Sequence, residues 1–144
     1  MINRELINPQ SIVVVGGSNN VHKPGGRLVR NLLDGKYKGE LYVVNAIEDD
    51  VQGLKSYHSV HDIPETELAI ISIPGPACPE AVDVLAKQKN VKAFIVISAG
   101  FGEETHEGAI LEEQMLKSIN EAGASLIGPN CIGLMNMHYH CVFT

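Results

Sequence analysis

Five short apolar runs punctuate the chain: IVVV at 12–15, LYVV at 41–44, LAIISI at 68–73, AFIVI at 93–97 and SLI at 125–127. None alternates with polar residues, as a strand with one wet face would. Continuous β-branched and aliphatic runs of this length mark strands covered on both faces. Between them lie stretches with helical spacing: GRLVRNLLDG from Gly26, PEAVDVLAKQKN from Pro79, and HEGAILEEQMLKSINEAG from His106. In the last of these, Ile110, Leu111, Met115 and Ile119 fall on helical spacing and leave Glu112, Glu113, Gln114 and Lys117 for solvent. Gly35 and Gly123 stand just past two of the helices, where a left-handed cap is wanted. Pro79 suits a first turn whose N–H has no partner in any case. The segment IEDDVQGLKSYHSVHDIPETE carries no helical pattern and predicts an extended piece around Val51–Tyr57 and a turn at Val60–Ile63. The order of elements predicts an α/β fold: an open parallel sheet of about five strands with helices on both faces.

Composition narrows the function without choosing it. At 144 residues the chain is one domain's worth, so residues 1–144 are expected to share a single core. It is 44% hydrophobic and 19% charged, an ordinary globular balance. No run approaches the roughly 18 apolar residues of a membrane span, and no basic and apolar leader precedes the first strand. The expectation is a cytoplasmic protein with no membrane partner. The formal net charge is −6 and the 11 Lys and Arg are scattered, which argues against affinity for a nucleic-acid backbone. Aromatic residues are only 5%, too few for stacking platforms. Cys78, Cys131 and Cys141 form no C-x-x-C pair, and their odd number fits a reducing compartment.

Candidate chemistry gathers where the predicted strands end. In an open parallel sheet, ligands bind at the carboxyl ends of the strands. The loops there are rich in small residues: GGSNN (16–20), NAI (45–47), IPGP (73–76), SAGFG (98–102) and GPNCIG (128–133). Such loops let a ligand lie against backbone N–H groups, and the helix start near Gly25–Arg27 offers a positive dipole end to a phosphate, with Lys23 and Arg27 beside it. His22 lies in the first loop as a candidate contact, whereas His58, His61 and His106 read as surface positions. A glycine after a strand is often turn chemistry alone; it is the convergence of five such loops that points to a ligand. No catalytic residue is expected. Ser98 lacks the G-x-S-x-G elbow of a nucleophile and reads as part of a backbone-donating turn. Cys131 is either a thiol activated by a helix start or, more commonly, a small residue in a tight turn. His138, His140 and Cys141 have the residue types of a metal site but sit on alternating positions of an extended tail with no partner cluster, so no metal is expected.

Taken together, the loops resemble a known family. NPQSIVVVGGSN (8–19), GGRLVRNL (25–32), VVN (43–45), QGLKSYHSVHDIP (52–64), LAIISIP (68–74), VISAGFGE (96–103) and GPNCIGLMN (128–136) are similar to the amino-terminal CoA-binding domain of NDP-forming acyl-CoA synthetases. That family includes the ADP-forming acetyl-CoA synthetases and is related to the succinyl-CoA synthetase alpha subunit. The resemblance implies a Rossmann-like domain that binds coenzyme A as a substrate. It implies contacts from Gly16, Gly17, Ser18, Asn19, Lys23 and Gly26 to the adenosine diphosphate end, with Asn45 closing strand two. Ile73 and Pro74, then Ser98, Ala99, Gly100 and Phe101, would follow the pantetheine toward Asn130 and Cys131 at the thiol end. The family joins an acid to CoA as NTP becomes NDP and phosphate, through an acyl phosphate and a phosphohistidine. The phosphohistidine domain and the ATP-grasp domain that holds ATP or ADP and Mg are not in this chain. The expectation is thus a piece of a longer synthetase, without catalysis of its own, whose partners are the remaining domains or subunits; homo-oligomerisation is left open.

One feature departs from the family pattern. Asn45 is commonly followed by Pro and a basic residue, but here by Ala46, Ile47, Glu48, Asp49 and Asp50, so a phosphate contact from this loop is not expected. Two alternatives compete with the resemblance. An NAD-binding domain of an oxidoreductase would want G-x-G-x-x-G and an acidic residue at the position of Asn45. A free-standing CoA-binding regulatory module would share every loop and lack only the catalytic partner.

Overall fold

The apolar runs become strands because each is sandwiched between two layers. The computed structural model describes residues 2–102 and 105–142. A short helix α1 (Arg4–Ile7) precedes β1 (Ser11–Val15), α2 (Pro24–Asp34) and β2 (Glu40–Val44). Then come β3 (Asp50–Val51), β4 (Leu54–Tyr57), β5 (Leu68–Ile71), α3 (Cys78–Gln88), β6 (Ala93–Val96), α4 (His106–Glu121) and β7 (Ser125–Ile127). A hairpin of β8 (Gly133–Met135) and β9 (His140–Val142) ends the described chain. The main sheet has seven strands in the order β3-β4-β2-β1-β5-β6-β7, all parallel except the antiparallel β3–β4 pair.

Alternate residues of each central strand serve opposite cores. Val13, Val15, Ala69, Ile71, Phe94 and Val96 point toward α3 and α4, where they meet Val82, Leu85, Met115 and Ile119. Ile12, Val14, Leu68, Ile70 and Ile95 point the other way, toward Leu28, Val29 and Leu32 of α2 and Leu6 of α1. The β8–β9 hairpin completes this second layer: Tyr139 and Cys141 are buried in it, and the Tyr139 hydroxyl donates to the Leu6 carbonyl at 2.6 Å. Two apolar faces per strand are why the sequence shows runs and no alternation.

The structure corrects four expectations. The sheet has seven strands, not about five, because Asp50–Val51 and Leu54–Tyr57 fold into a small hairpin whose second strand pairs with β2. Helix α2 begins at Pro24, two residues before Gly26. Gly35 is right-handed at φ −76°, and the left-handed residue is Lys36 at φ 55°; Gly123, at φ 66°, does take the expected conformation. On α4, Met115 and Ile119 are buried but Ile110 is 45% exposed, so the inward stripe is narrower than its spacing predicts. Glu103, the last residue of the SAGFGE motif, lies outside the described residues.

Candidate functional site

Strand order reverses at β1. The chain moves from β1 to β2 on one side and later returns to place β5 on the other, so loops at the carboxyl ends of β1 and β5 diverge and leave a crevice. A cleft of about 360 Å³ opens there. Its floor is formed by the ends of β1, β2 and β5 at Val15, Gly16, Val44, Asn45 and Ile73, and its walls include His58, Val60, His61, Ile47 and Glu80. Three of the expected site residues, Gly16, Asn45 and Ile73, therefore meet in one cavity. The two histidines read as surface positions are exposed but line its wall; no spacing pattern singles them out, because they come from the turn after β4. His58 Nε2 lies 2.9 Å from the Asp49 carboxylate. Among the described residues lining the cleft there is no lysine or arginine.

The first loop is built by close approach. Gly16 has φ 93°, and a Cβ there would fall 2.1 Å from the Ser72 carbonyl oxygen. A Cβ on Gly25 or Gly26 would fall 2.0 Å from the carbonyl oxygen of Gly16 or Asn20. The second glycine pair thus lets the start of α2 press directly onto the first loop. Lys23 is the exposed N-cap of α2 and gives it no side-chain cap, and Pro24 has no N–H to satisfy. The first-turn N–H groups of Gly25 and Gly26 are then the positive end of an uncapped helix that packs on the first loop. Ser18 Oγ accepts from the Asn20 N–H at 3.0 Å and Asn20 Oδ1 from the His22 N–H at 3.0 Å, turns that stiffen the loop; the His22 side chain is exposed.

Several of the residues expected at the site also join the loops to one another. Asn45 donates to the Gly17 carbonyl at 2.9 Å and accepts from the N–H groups of Ile47 and Glu48, both at 2.9 Å, so its amide ties β1's loop to β2's. Asn19 is similarly engaged, donating to the Asp50 carbonyl at 2.9 Å and accepting from the Gln52 N–H at 2.7 Å. The Ser98 hydroxyl donates to the Ile73 carbonyl and accepts from the Ile73 N–H at 3.1 Å, while its own carbonyl accepts from the Asn130 N–H at 3.0 Å. One serine thereby fastens the loops after β5, β6 and β7. The Phe101 side chain is fully buried in the α3–α4 core, leaving that residue only its backbone to offer a ligand. Pro74, Ala99 and Asn130 are exposed, and Gly100 (φ 92°) and Asn130 (φ 55°) hold left-handed turns. The Cys131 thiol donates to the Val96 carbonyl at 3.3 Å, and burial raises its pKa, the reverse of an activated nucleophile. Among the described residues no group of three or more His, Cys, Asp and Glu is placed to hold a metal ion, and no helix is long and apolar enough to cross a membrane.

Comparison with known proteins places this geometry. The sequence profile of the CoA binding domain matches residues 10–137. The chain is 40% identical over 135 residues to the alpha subunit of the ADP-forming acetate–CoA ligase II of Pyrococcus furiosus, covering 92% of this chain and 29% of that one. It is 33% identical over 138 residues to the ADP-forming 4-hydroxybutyrate–CoA ligase of Nitrosopumilus maritimus, covering 95% and 20%. Among solved structures, the apo form of the dinucleotide-forming acetyl-coenzyme A synthetase 1 of Ca. Korarchaeum cryptofilum superposes with a TM-score of 0.89 at 33% identity, covering 97% of this chain and 31% of that one. The chain thus spans less than a third of the length of these relatives. An ATP citrate lyase of Methanothrix soehngenii, at 15% identity and a TM-score of 0.70, shares the fold. With a profile match over residues 10–137 and 40% identity to a curated relative over 92% of its own length, the chain belongs to the CoA-binding domain family.

Proposed function

We propose that this chain is the coenzyme-holding part of an ADP-forming acid–thiol ligase: its task is to bind and orient CoA while other domains or subunits supply ATP, Mg and the phosphohistidine. The observation that carries the reading is the convergence of the five small-residue loops on one sheet edge, beside an uncapped helix start and a cleft at the strand-order reversal. Gly16 donates its N–H to the Val44 carbonyl and serves by its close approach, so the diphosphate lies against the N–H groups of Gly17, Ser18, Asn19 and Gly26, with Lys23 as the nearest cation. The adenosine end enters the cleft over Asn45. The pantetheine arm runs past Ile73 and Pro74, then along the backbone of Ser98, Ala99, Gly100 and Phe101, and brings the CoA thiol near Asn130 and Cys131. An extended ligand on exposed backbone needs these loops held in register, which is what the Asn45 and Ser98 joints do. In this reading the chain works in the cytoplasm and forms no acyl-CoA by itself from acid, CoA and ATP.

Amide spectra of the isotopically labelled chain test the assignment. CoA is expected to shift the signals of residues 16–20, 25–27, 45–48, 73–75, 98–101 and 130–131 while leaving those of α1 and of the hairpin tip at 136–139 in place. Shifts centred on the opposite edge of the sheet would refute it.

A further inference from the structure

Residues 52–53 close the β3–β4 hairpin with a two-residue loop, since Val51 pairs with Leu54. Gln52 has φ 51° and Gly53 φ 90°, the two positive values of a type I′ connection. Asparagine is the ordinary first residue of such a turn; glutamine has no local hydrogen bond to favour it there and is one methylene longer. That methylene has a visible use. The Gln52 side-chain amide donates to the Ser18 carbonyl at 2.8 Å and to the Gly26 carbonyl at 2.9 Å. Its backbone N–H is held by Asn19, whose own amide holds Asp50 in return. Gln52 Oε1 is buried and has no hydrogen-bond partner among the described residues. A hairpin at the far edge of the sheet therefore reaches across β2 to grip the first loop and the first turn of α2 together.

From this we infer that Gln52 is a positioning residue of the coenzyme site, setting the distance between the Gly16–Asn19 loop and the start of α2 and so the affinity for the diphosphate. The inference rests on the CoA reading above. Its physical basis is that the Ser18 and Gly26 carbonyls, both negative ends of dipoles, converge on one point and repel unless a shared donor sits between them. If they part, the loop N–H groups and the helix start no longer aim at one anion. The sequence around Q-G reads only as part of an extended piece over Val51–Tyr57; the turn at 52–53 and the grip it carries depend on partners 26 to 34 residues away.

Two substitutions separate gripping from turn formation. Gln52→Asn keeps the carboxamide and suits the turn, but is too short to reach either carbonyl. Gln52→Glu keeps the length and replaces the donor with an acceptor. CoA and pantetheine, which lacks the diphosphate, are titrated calorimetrically into the wild type and both variants, with thermal midpoints recorded. The expected result is a loss of CoA affinity of about tenfold or more, larger for Gln52→Glu, with pantetheine binding little changed and a lowered but still cooperative thermal transition in Gln52→Asn. Wild-type CoA affinity in Gln52→Asn, or equal losses for CoA and pantetheine, would overturn the inference while leaving the coenzyme reading intact. A wild-type chain that takes up no CoA would instead overturn the coenzyme reading, and this inference with it.

Discussion

At the scale of single residues, the site depends less on side chains that touch a ligand than on side chains that hold backbone for it. Asn45 shows this most plainly. A carboxylate at the end of strand two would accept from Ile47 and Glu48 as Asn45 does, but would have no proton for the Gly17 carbonyl. Asn45→Ala removes three hydrogen bonds, so we expect it to lower unfolding stability by about 2 kcal/mol and CoA affinity by at least tenfold, measured by urea denaturation and calorimetry. Asn45→Asp should lose CoA affinity as well, since it frees the first loop and adds a negative charge beside the cleft. An Asn45→Asp variant with enhanced NADH binding would point to the dinucleotide alternative. Glycine spacing was legible in the sequence as a departure from G-x-G-x-x-G. Its cause was not, because only the structure brings Gly25 and Gly26 against the carbonyls of Gly16 and Asn20.

At the scale of elements, strands and helices were read where both their faces or one clear stripe are buried. The five apolar runs all became strands, and α4 begins at His106, where Thr105 caps it by accepting from the Gly108 N–H at 2.8 Å. What escaped was held by tertiary contact. Helix α1 is four residues long, too short for a periodic pattern, and is fixed by Asn3 donating to Lys92 and by Arg4 paired with Glu67. The β8–β9 strands have three residues each and stand because Tyr139 and Cys141 enter the second core. His138, His140 and Cys141 fall on this hairpin, where Cys141 is buried and His138 exposed. Tyr139→Phe tests the anchor: it leaves the Leu6 carbonyl without its buried donor, and a loss of about 1–3 kcal/mol is expected. Hydrogen exchange should accelerate in α1 and the hairpin together, and exchange confined to the hairpin would show that the two are not one unit.

At the scale of the whole molecule, one sheet with two cores explains both the stability and the placement of the site. The core around α1, α2 and the hairpin holds two buried acids, Tyr139 and Cys141, with half-buried Tyr37 packed against it, and burial raises the pKa of all three. A raised folded-state value means their contribution is complete at neutral pH and is lost as pH climbs through and beyond their ordinary values of 9.0 for cysteine and 10.0 for tyrosine. Denaturation midpoints should therefore fall between pH 8 and pH 11, with a smaller fall in Tyr139→Phe; a flat profile would contradict the burial. None of these three groups is among the proposed coenzyme contacts, so CoA affinity should survive mild alkalinity better than the fold survives strong alkalinity. The central claim is that this edge is shaped for coenzyme A. Calorimetric titration of the purified chain with CoA and with NADH tests it most directly. The account predicts saturable binding of CoA that NADH does not displace, whereas NADH bound as tightly as CoA, or more tightly, would contradict it.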